Sequence, residues 1–475
     1  MRNEIVKLTA LEIADAIKAK KLSVREVTTT FLDFIEKNNC QPKTFLTVSK
    51  KEALQRAEEI QSRIDKGEAL SLLAGVPVAL KDNISAMGIE TTCASKMLTG
   101  YKPVFDAAVV ENLERAGLII IGKLNMDEFA AGGTETLETS AIAKSEVPLA
   151  IGTDSGGSLR QSCSFNGITG IKPTYGSVSR FGIIASVSSM EQAGPAGKNI
   201  EDCTALLSII SGPDNRDSTC IIKKPFEFDT TDTQNSNLKN IKIGLPQNYL
   251  DGSITNIDPD IKTAILAAAK EFEASGAIIE EFEMPLAEYI IPAFSIIEAA
   301  EISSNLAKFD GLKFGYRSPN VKTLSDVYRL SRNEGFGSEV KRKIMLGSLV
   351  LSSDYYDTYY RKALQARTLI KDAYNKLFEK FDMILSPVTP TSAYQTGQNN
   401  NDPMKMYKKN IFTASANLAG LPAIALPCGL NNQGHPIGLQ LIGNSFSESK
   451  LINVAKIYQN CTNHHKKKQE TNTYE

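Results

Sequence analysis

Hydrophobic positions near the start of the chain recur every three or four residues. Val27, Phe31 and Phe34 share one face, as do Ala53, Ala57, Ile60 and Ile64, which predicts amphipathic helices. Ser23 with Glu26, and Ser49 with Glu52, read as capping boxes, and Gly67 as a helix stop. Residues 8–67 are therefore expected to be helical and core-facing. The pattern then turns continuous and small: the apolar run before Lys81 predicts a strand ending in that lysine. Asp106–Gly117 reads as a helix, Leu118–Lys123 as a buried strand, and Val147–Ile151 as a strand end. Glycine-rich stretches at 167–172 and 176–182 read as turns, and Asn199 with Asp202 opens a helix reaching about Gly212. Residues 225–240 read as a polar surface excursion. Strand 241–246, a helix opened by Asp258 and Pro259, and strand 277–284 follow in βαβ order, predicting an α/β architecture. Residues 286–381 read as a mostly helical subregion within a single domain spanning 1–475, with helices at Glu298–Phe309, Leu324–Arg332 and Asp354–Phe381. Short strands return at 383–385, 423–426 and 438–442.

Composition narrows the function classes. Hydrophobic residues make up 42% and charged residues 23%, as in ordinary soluble proteins. A formal net charge of -1 leaves no global basic footprint for autonomous nucleic-acid binding. Seven scattered cysteines without a CxxC pair argue against a disulfide scaffold or a zinc site and fit a reducing compartment. The N-terminus lacks the apolar core of a signal peptide, and no apolar run is expected to reach membrane-spanning length, so the expected location is cytoplasmic. The three histidines lie in a turn (His435) and in a polar tail (His464, His465), which makes a Ser-His-Asp triad a poor expectation.

The chemistry concentrates at Gly152–Gln161. Two glycines, Gly156 and Gly157, allow a sharp bend that carries Ser158 and leaves N–H groups free to face a developing oxyanion. The same residues also suit a plain glycine turn before a helix, or a phosphate cradle. Lys81 ends an apolar strand. Burial disfavours an ammonium, and a neutral lysine is a competent general base for a serine.

Several stretches in order resemble the amidase-signature family nearly end to end. They are Gly75–Asn83, Gly122–Phe129, Gly152–Gln161 and Gly170–Gly176, while Arg332–Gly337 and Asn417–Pro422 point to its tRNA-amidotransferase branch. The resemblance implies an amidase-signature fold, a central mixed β-sheet covered by helices with a mostly helical insertion. It implies a glutaminase in which Ser158 attacks the glutamine amide and Lys81 is the base. Ser155, Gly156 and Gly157 would supply the oxyanion N–H groups. Tyr316, Arg367 and Asn410 would contact the substrate, Arg367 its carboxylate. The chain itself would hold no cofactor or metal. Ammonia would pass to partner subunits B and C of a heterotrimeric ligase, where ATP and Mg serve amidation of misacylated tRNA.

Two departures stand out. The family's GGSSGGS segment, whose serine bridges lysine and nucleophile, is missing, as if a block were deleted between Thr136 and Ser140. Thr134 and Ser140 are the candidate substitute hydroxyls. Asn410 stands where the family usually has an acid facing the glutamine ammonium, so ammonium binding should weaken. Three readings follow: a glutaminase subunit, a scaffold subunit that has lost its relay, and a free-standing amidase for small amides.

Overall fold

The computed structural model describes residues 2–39, 43–132, 139–227, 237–393 and 408–466. Eleven strands among them form one sheet: β1 (Phe45–Val48), β2 (Pro77–Lys81), β3 (Ile119–Leu124), β4 (Leu149–Asp154), β5 (Thr169–Lys172), β6 (Gln192–Gly197), β7 (Lys242–Pro246), β8 (Ile278–Phe282), β9 (Met383–Pro387), β10 (Ala423–Leu430) and β11 (Pro436–Gly443). Their order is β1-β3-β2-β4-β6-β5-β10-β11-β9-β7-β8. Pairing is parallel within β3–β2–β4 and within β9–β7–β8, and antiparallel at the other junctions. The sheet is mixed and covered by helices, as the family resemblance implied.

Alternate residues on a strand face opposite sides, and the two cores follow that rule. Leu385, Ile424 and Leu441 belong to one apolar cluster; their neighbours Ile384, Ala423 and Ile442 belong to the other. The first cluster is closed by helices including Val24–Asn38, Lys50–Asp65 and Ile200–Ile210; the second by Ala287–Asn305, Arg361–Phe378 and Ala414–Ala419.

Several sequence expectations need correction. The first 67 residues are not all helical: β1 interrupts them, pairing antiparallel with β3. Ser23 caps its helix by accepting from Glu26 N (3.1 Å), but Ser49 makes no cap and donates to Ile120 O (3.0 Å). The glycine-rich stretch 167–172 contains β5, a core strand. Residues 286–381 hold no strand among the described residues, yet their helices differ from those expected. The first begins at Ala287, an additional one spans Ser338–Val350, and the last, expected from Asp354, runs as a π-helical turn at Tyr356–Tyr360 into an α-helix at Arg361–Phe378. The stretch Ala287–Lys308 is long and apolar enough to cross a bilayer, contrary to the expected absence of such a run. Ile290, Phe294 and Ile297 along it are buried in the second core, which explains its composition without a membrane. Six cysteines are free thiols among the described residues; residues 228–236 of the polar excursion lie outside them.

Candidate active site

The bend at the end of β4 is built by close approach. Gly157 has φ 126, and a Cβ there would lie 2.1 Å from Thr413 Oγ1. At Gly156 a Cβ would meet Phe294 Cζ at 2.3 Å. Only glycine fits either contact. Thr413 Oγ1 donates to Gly156 O (2.7 Å) and locks the bend from the opposite segment. Asp154 holds it from below, accepting Gly157 N on Oδ1 (2.8 Å) and Arg160 Nε on Oδ2 (2.9 Å), with Asn417 Nδ2 at 2.9 Å. Burial alone would raise the Asp154 pKa; the Arg160 charge and hydrogen bonds outweigh it and hold the carboxyl at about 2.

Lys81 and Ser158 meet over the carbonyl of Thr153. Both groups come from the carboxyl ends of neighbouring parallel strands, β2 and β4, where α/β sheets place their sites. Lys81 Nζ donates to Thr153 O (3.1 Å) and lies 3.4 Å from Ser158 Oγ. Ser158 Oγ donates to the same carbonyl at 2.6 Å. Lys81 is buried, whereas Ser158 is partly exposed, so the nucleophile is reachable while its base is shielded. If the serine proton turns from Thr153 O toward a neutral Nζ, the pair becomes a direct nucleophile–base couple. The contact is long for a hydrogen bond, as resting catalytic contacts often are.

Thr134 lies outside the described residues. Ser140 is buried and opens the Ser140–Ala143 helix. Its neighbour Thr139 shares a 2.6 Å hydrogen bond with Ser162 Oγ, one turn along the helix from Ser158.

Among the described residues, the N–H groups of Ser155 and Gly156 have no acceptor, while that of Gly157 is committed to Asp154. Asn410 stands beside the nucleophile's helix: its Oδ1 accepts Gln161 Nε2 (2.8 Å). The next residue back is Lys409, whose pKa burial lowers to about 8 against the pull of Asp127. Arg367 gives Nε to Leu418 O (2.9 Å), Nη1 to Ser189 Oγ (2.8 Å) and Nη2 to Ser189 O (2.9 Å). Tyr316 lines a cleft of about 800 Å³ whose walls do not include Lys81 or Ser158. Its hydroxyl donates to Glu334 (2.9 Å), and Lys96 Nζ sits 4.1 Å from its ring centre. Sequence reasoning missed Thr153 as the shared acceptor and Asp154 as the clamp. Asp154 was within reach, because an acid two residues before a double glycine is a local signal.

The sequence profile of the family described as Amidase matches residues 26–137 and 138–452. The chain is 47% identical over 481 residues to the A subunit of glutamyl-tRNA(Gln) amidotransferase of Agathobacter rectalis, covering 96% of this chain and 94% of that protein. It is 46% identical over 494 residues to the protein of the same name from Lachnoclostridium phytofermentans, covering 96% and 99%. The crystal structure of the glutamyl-tRNA(Gln) amidotransferase A subunit from Thermotoga maritima superposes with a TM-score of 0.76 at 32% identity, covering 96% of this chain and 95% of that one. With a family match across most of its length and relatives this similar over nearly their whole length, the chain belongs to the amidase family.

Proposed function

We propose that this chain is the glutamine-hydrolysing component of a tRNA-dependent amidotransferase. The observation that carries the reading is the 3.4 Å approach of Lys81 Nζ to Ser158 Oγ over one shared carbonyl. Ser158 Oγ attacks the side-chain amide carbon of glutamine and its proton goes to Lys81. The N–H groups of Ser155 and Gly156, with Gly157 shaping the bend, face the oxyanion. The tetrahedral adduct collapses, and ammonia leaves with the proton from Lys81. Water then adds to the acyl-enzyme, giving its proton to Lys81, and glutamate departs as Ser158 is reprotonated. Asn410 receives the glutamine ammonium. Arg367 receives its carboxylate by exchanging Ser189 for it, and Tyr316 is the further candidate contact to the substrate. The chain binds no cofactor itself in this reading. Ammonia moves to partner subunits B and C of a cytoplasmic heterotrimer, where ATP and Mg serve conversion of Glu-tRNA(Gln) to Gln-tRNA(Gln).

Ammonia release from glutamine by the chain purified with its partners tests this. Ser158→Ala is expected to abolish release, a loss on the order of a millionfold for a serine nucleophile. Lys81→Arg keeps a cation that cannot act as a neutral base and should do the same. Unchanged release in either variant overturns the assignment. A second reading, a scaffold subunit without its relay, draws on the break in the family match at 137–138, within the stretch where the bridging serine is missing. It predicts co-purification with the partner subunits and no ammonia from the unmutated chain.

A further inference from the structure

A buried carboxylate that the hydrolysis scheme does not use is linked to the reactive pair through two intervening residues. Glu191 immediately precedes β6 and is 1% exposed. Its Oε1 accepts Asn83 Nδ2 (3.1 Å), and the same Nδ2 lies 3.1 Å from Thr153 Oγ1. Thr153 is the residue whose carbonyl takes both Lys81 and Ser158. Asn83 itself is two residues beyond Lys81. One polar chain therefore runs from Glu191 through Asn83 and Thr153 to the base and the nucleophile.

The segment delivering Glu191 is pinned from several directions. Ser189 N donates to Glu301 (2.9 Å), and Asn305 Nδ2 donates to Ser186 O and Ser188 Oγ (both 3.0 Å). Tyr175 OH donates to Ser188 O (3.0 Å), and Arg367 holds Ser189. Such over-determination suits a group whose position matters to the reacting atoms.

We propose that Glu191 is a positioning residue for the Lys81–Ser158 pair, acting through Asn83 and Thr153 and lending its charge to the site. The inference rests on the amide-hydrolysis reading. The charged and titratable groups facing Glu191 are Lys81 from β2, Arg180 from the preceding loop, and the buried Cys93 thiol. Burial raises the Glu191 pKa, and the Lys81 charge is the largest influence opposing it.

Glu191→Gln keeps an acceptor for Asn83 and removes only the charge; Glu191→Ala removes both. The full-length chain is purified with its partner subunits, and glutaminase kinetics are followed against pH. In Glu191→Gln the acid limb of kcat/KM is expected to move to lower pH, because a negative charge facing the reactive pair is gone, with KM within about twofold. In Glu191→Ala kcat is expected to fall at least about tenfold with KM little changed, and Glu191→Asp to recover part of it. A superimposed pH profile in the Gln variant, or an Ala variant altered in KM alone, overturns the proposal. Labelling by phenylmethanesulfonyl fluoride separates the two levels. Failure of the unmutated chain to hydrolyse glutamine or be labelled at Ser158 refutes the hydrolysis reading and this inference with it. Normal labelling and turnover with indifferent Glu191 variants refute this inference alone.

Discussion

Gly157 meets two demands that no other residue satisfies together: φ 126, and a neighbour at 2.1 Å where a Cβ would stand. Gly157→Ala should cost about 1–3 kcal/mol in stability. It should also displace Ser158 from Thr153 O and lower ammonia release by a hundredfold or so; thermal melting with glutaminase assays reads both. Asp154 carries a pH signature. Its folded pKa of about 2 lies below the unfolded value of about 3.9, so its contribution is present above the unfolded value and is lost as pH falls through about 2. That difference corresponds to roughly 2–3 kcal/mol. Asp154→Asn leaves Arg160 buried without its counter-ion and should cost about 3–5 kcal/mol at neutral pH, while flattening the acid end of the stability curve; urea unfolding at a series of pH values checks this. Asn410 offers a gain instead. Asn410→Asp supplies the missing charge for the glutamine ammonium, and KM should fall several-fold, about 1 kcal/mol. An unchanged KM would remove Asn410 from the substrate site.

Helices reach the reactive bend through packing. Ala287–Asn305 presses Phe294 against Gly156 and is backed by Ser338–Val350, joined to it by the buried Lys343–Glu298 ion pair at 2.7 Å. The two helices touch so closely that a Cβ on Gly347 would lie 2.0 Å from Ala299 O. Gly347→Leu should push them apart, costing about 1–3 kcal/mol or more, and lower kcat through Phe294 while Ser158 itself is untouched. Melting curves and kcat measured together check it; a destabilised variant with full kcat would mean the bend does not depend on this helix. Elements whose cause is local were readable from residues alone. Lys81 at a strand end, the double-glycine bend, and the Ser23 and Asn199 caps all depend on near neighbours. Elements with a distant cause were not. β5 lies in a glycine-rich stretch that reads as turns, and β6, with Gly194, Pro195 and Gly197, shows no strand pattern, yet the glycines are there for close packing: a Cβ on Gly194 would sit 2.0 Å from Ile171 O. β1 is four residues at a sheet edge, too short to show a period, and Ser49 turns its hydroxyl toward β3 instead of its own helix. Glu191 carried no motif because its partner Asn83 is 108 residues away.

Across the whole molecule, the polar groups around the bend form a seam that draws on distant parts of the chain. Arg160 donates to Asp154, to Gln440 Oε1 on β11 (2.8 Å) and to Asn417 Oδ1 (2.6 Å). Lys172 at the end of β5 completes it, fully buried, with Nζ donating to Pro173 O (3.1 Å). Burial is the main cause that lowers its pKa to about 7; Arg160 adds repulsion, and Asp154 and Glu448 only partly offset it. The unfolded chain keeps this lysine protonated up to about pH 10.4, so between about 7 and 10.4 the unfolded state binds one more proton than the folded state. Stability must therefore rise with pH across that window through this group, and the advantage is lost as pH falls through about 7. Lys172→Met removes the ionisable group while keeping an unbranched apolar stem, so the variant should show a slope shallower by one proton over that range. It should also lose less stability than the unmutated chain as pH is lowered toward 6. Chemical denaturation from pH 6 to 10 measures both slopes; identical slopes would mean that Lys172 keeps its proton in the folded chain and that Asp154 and Glu448 balance its charge in full.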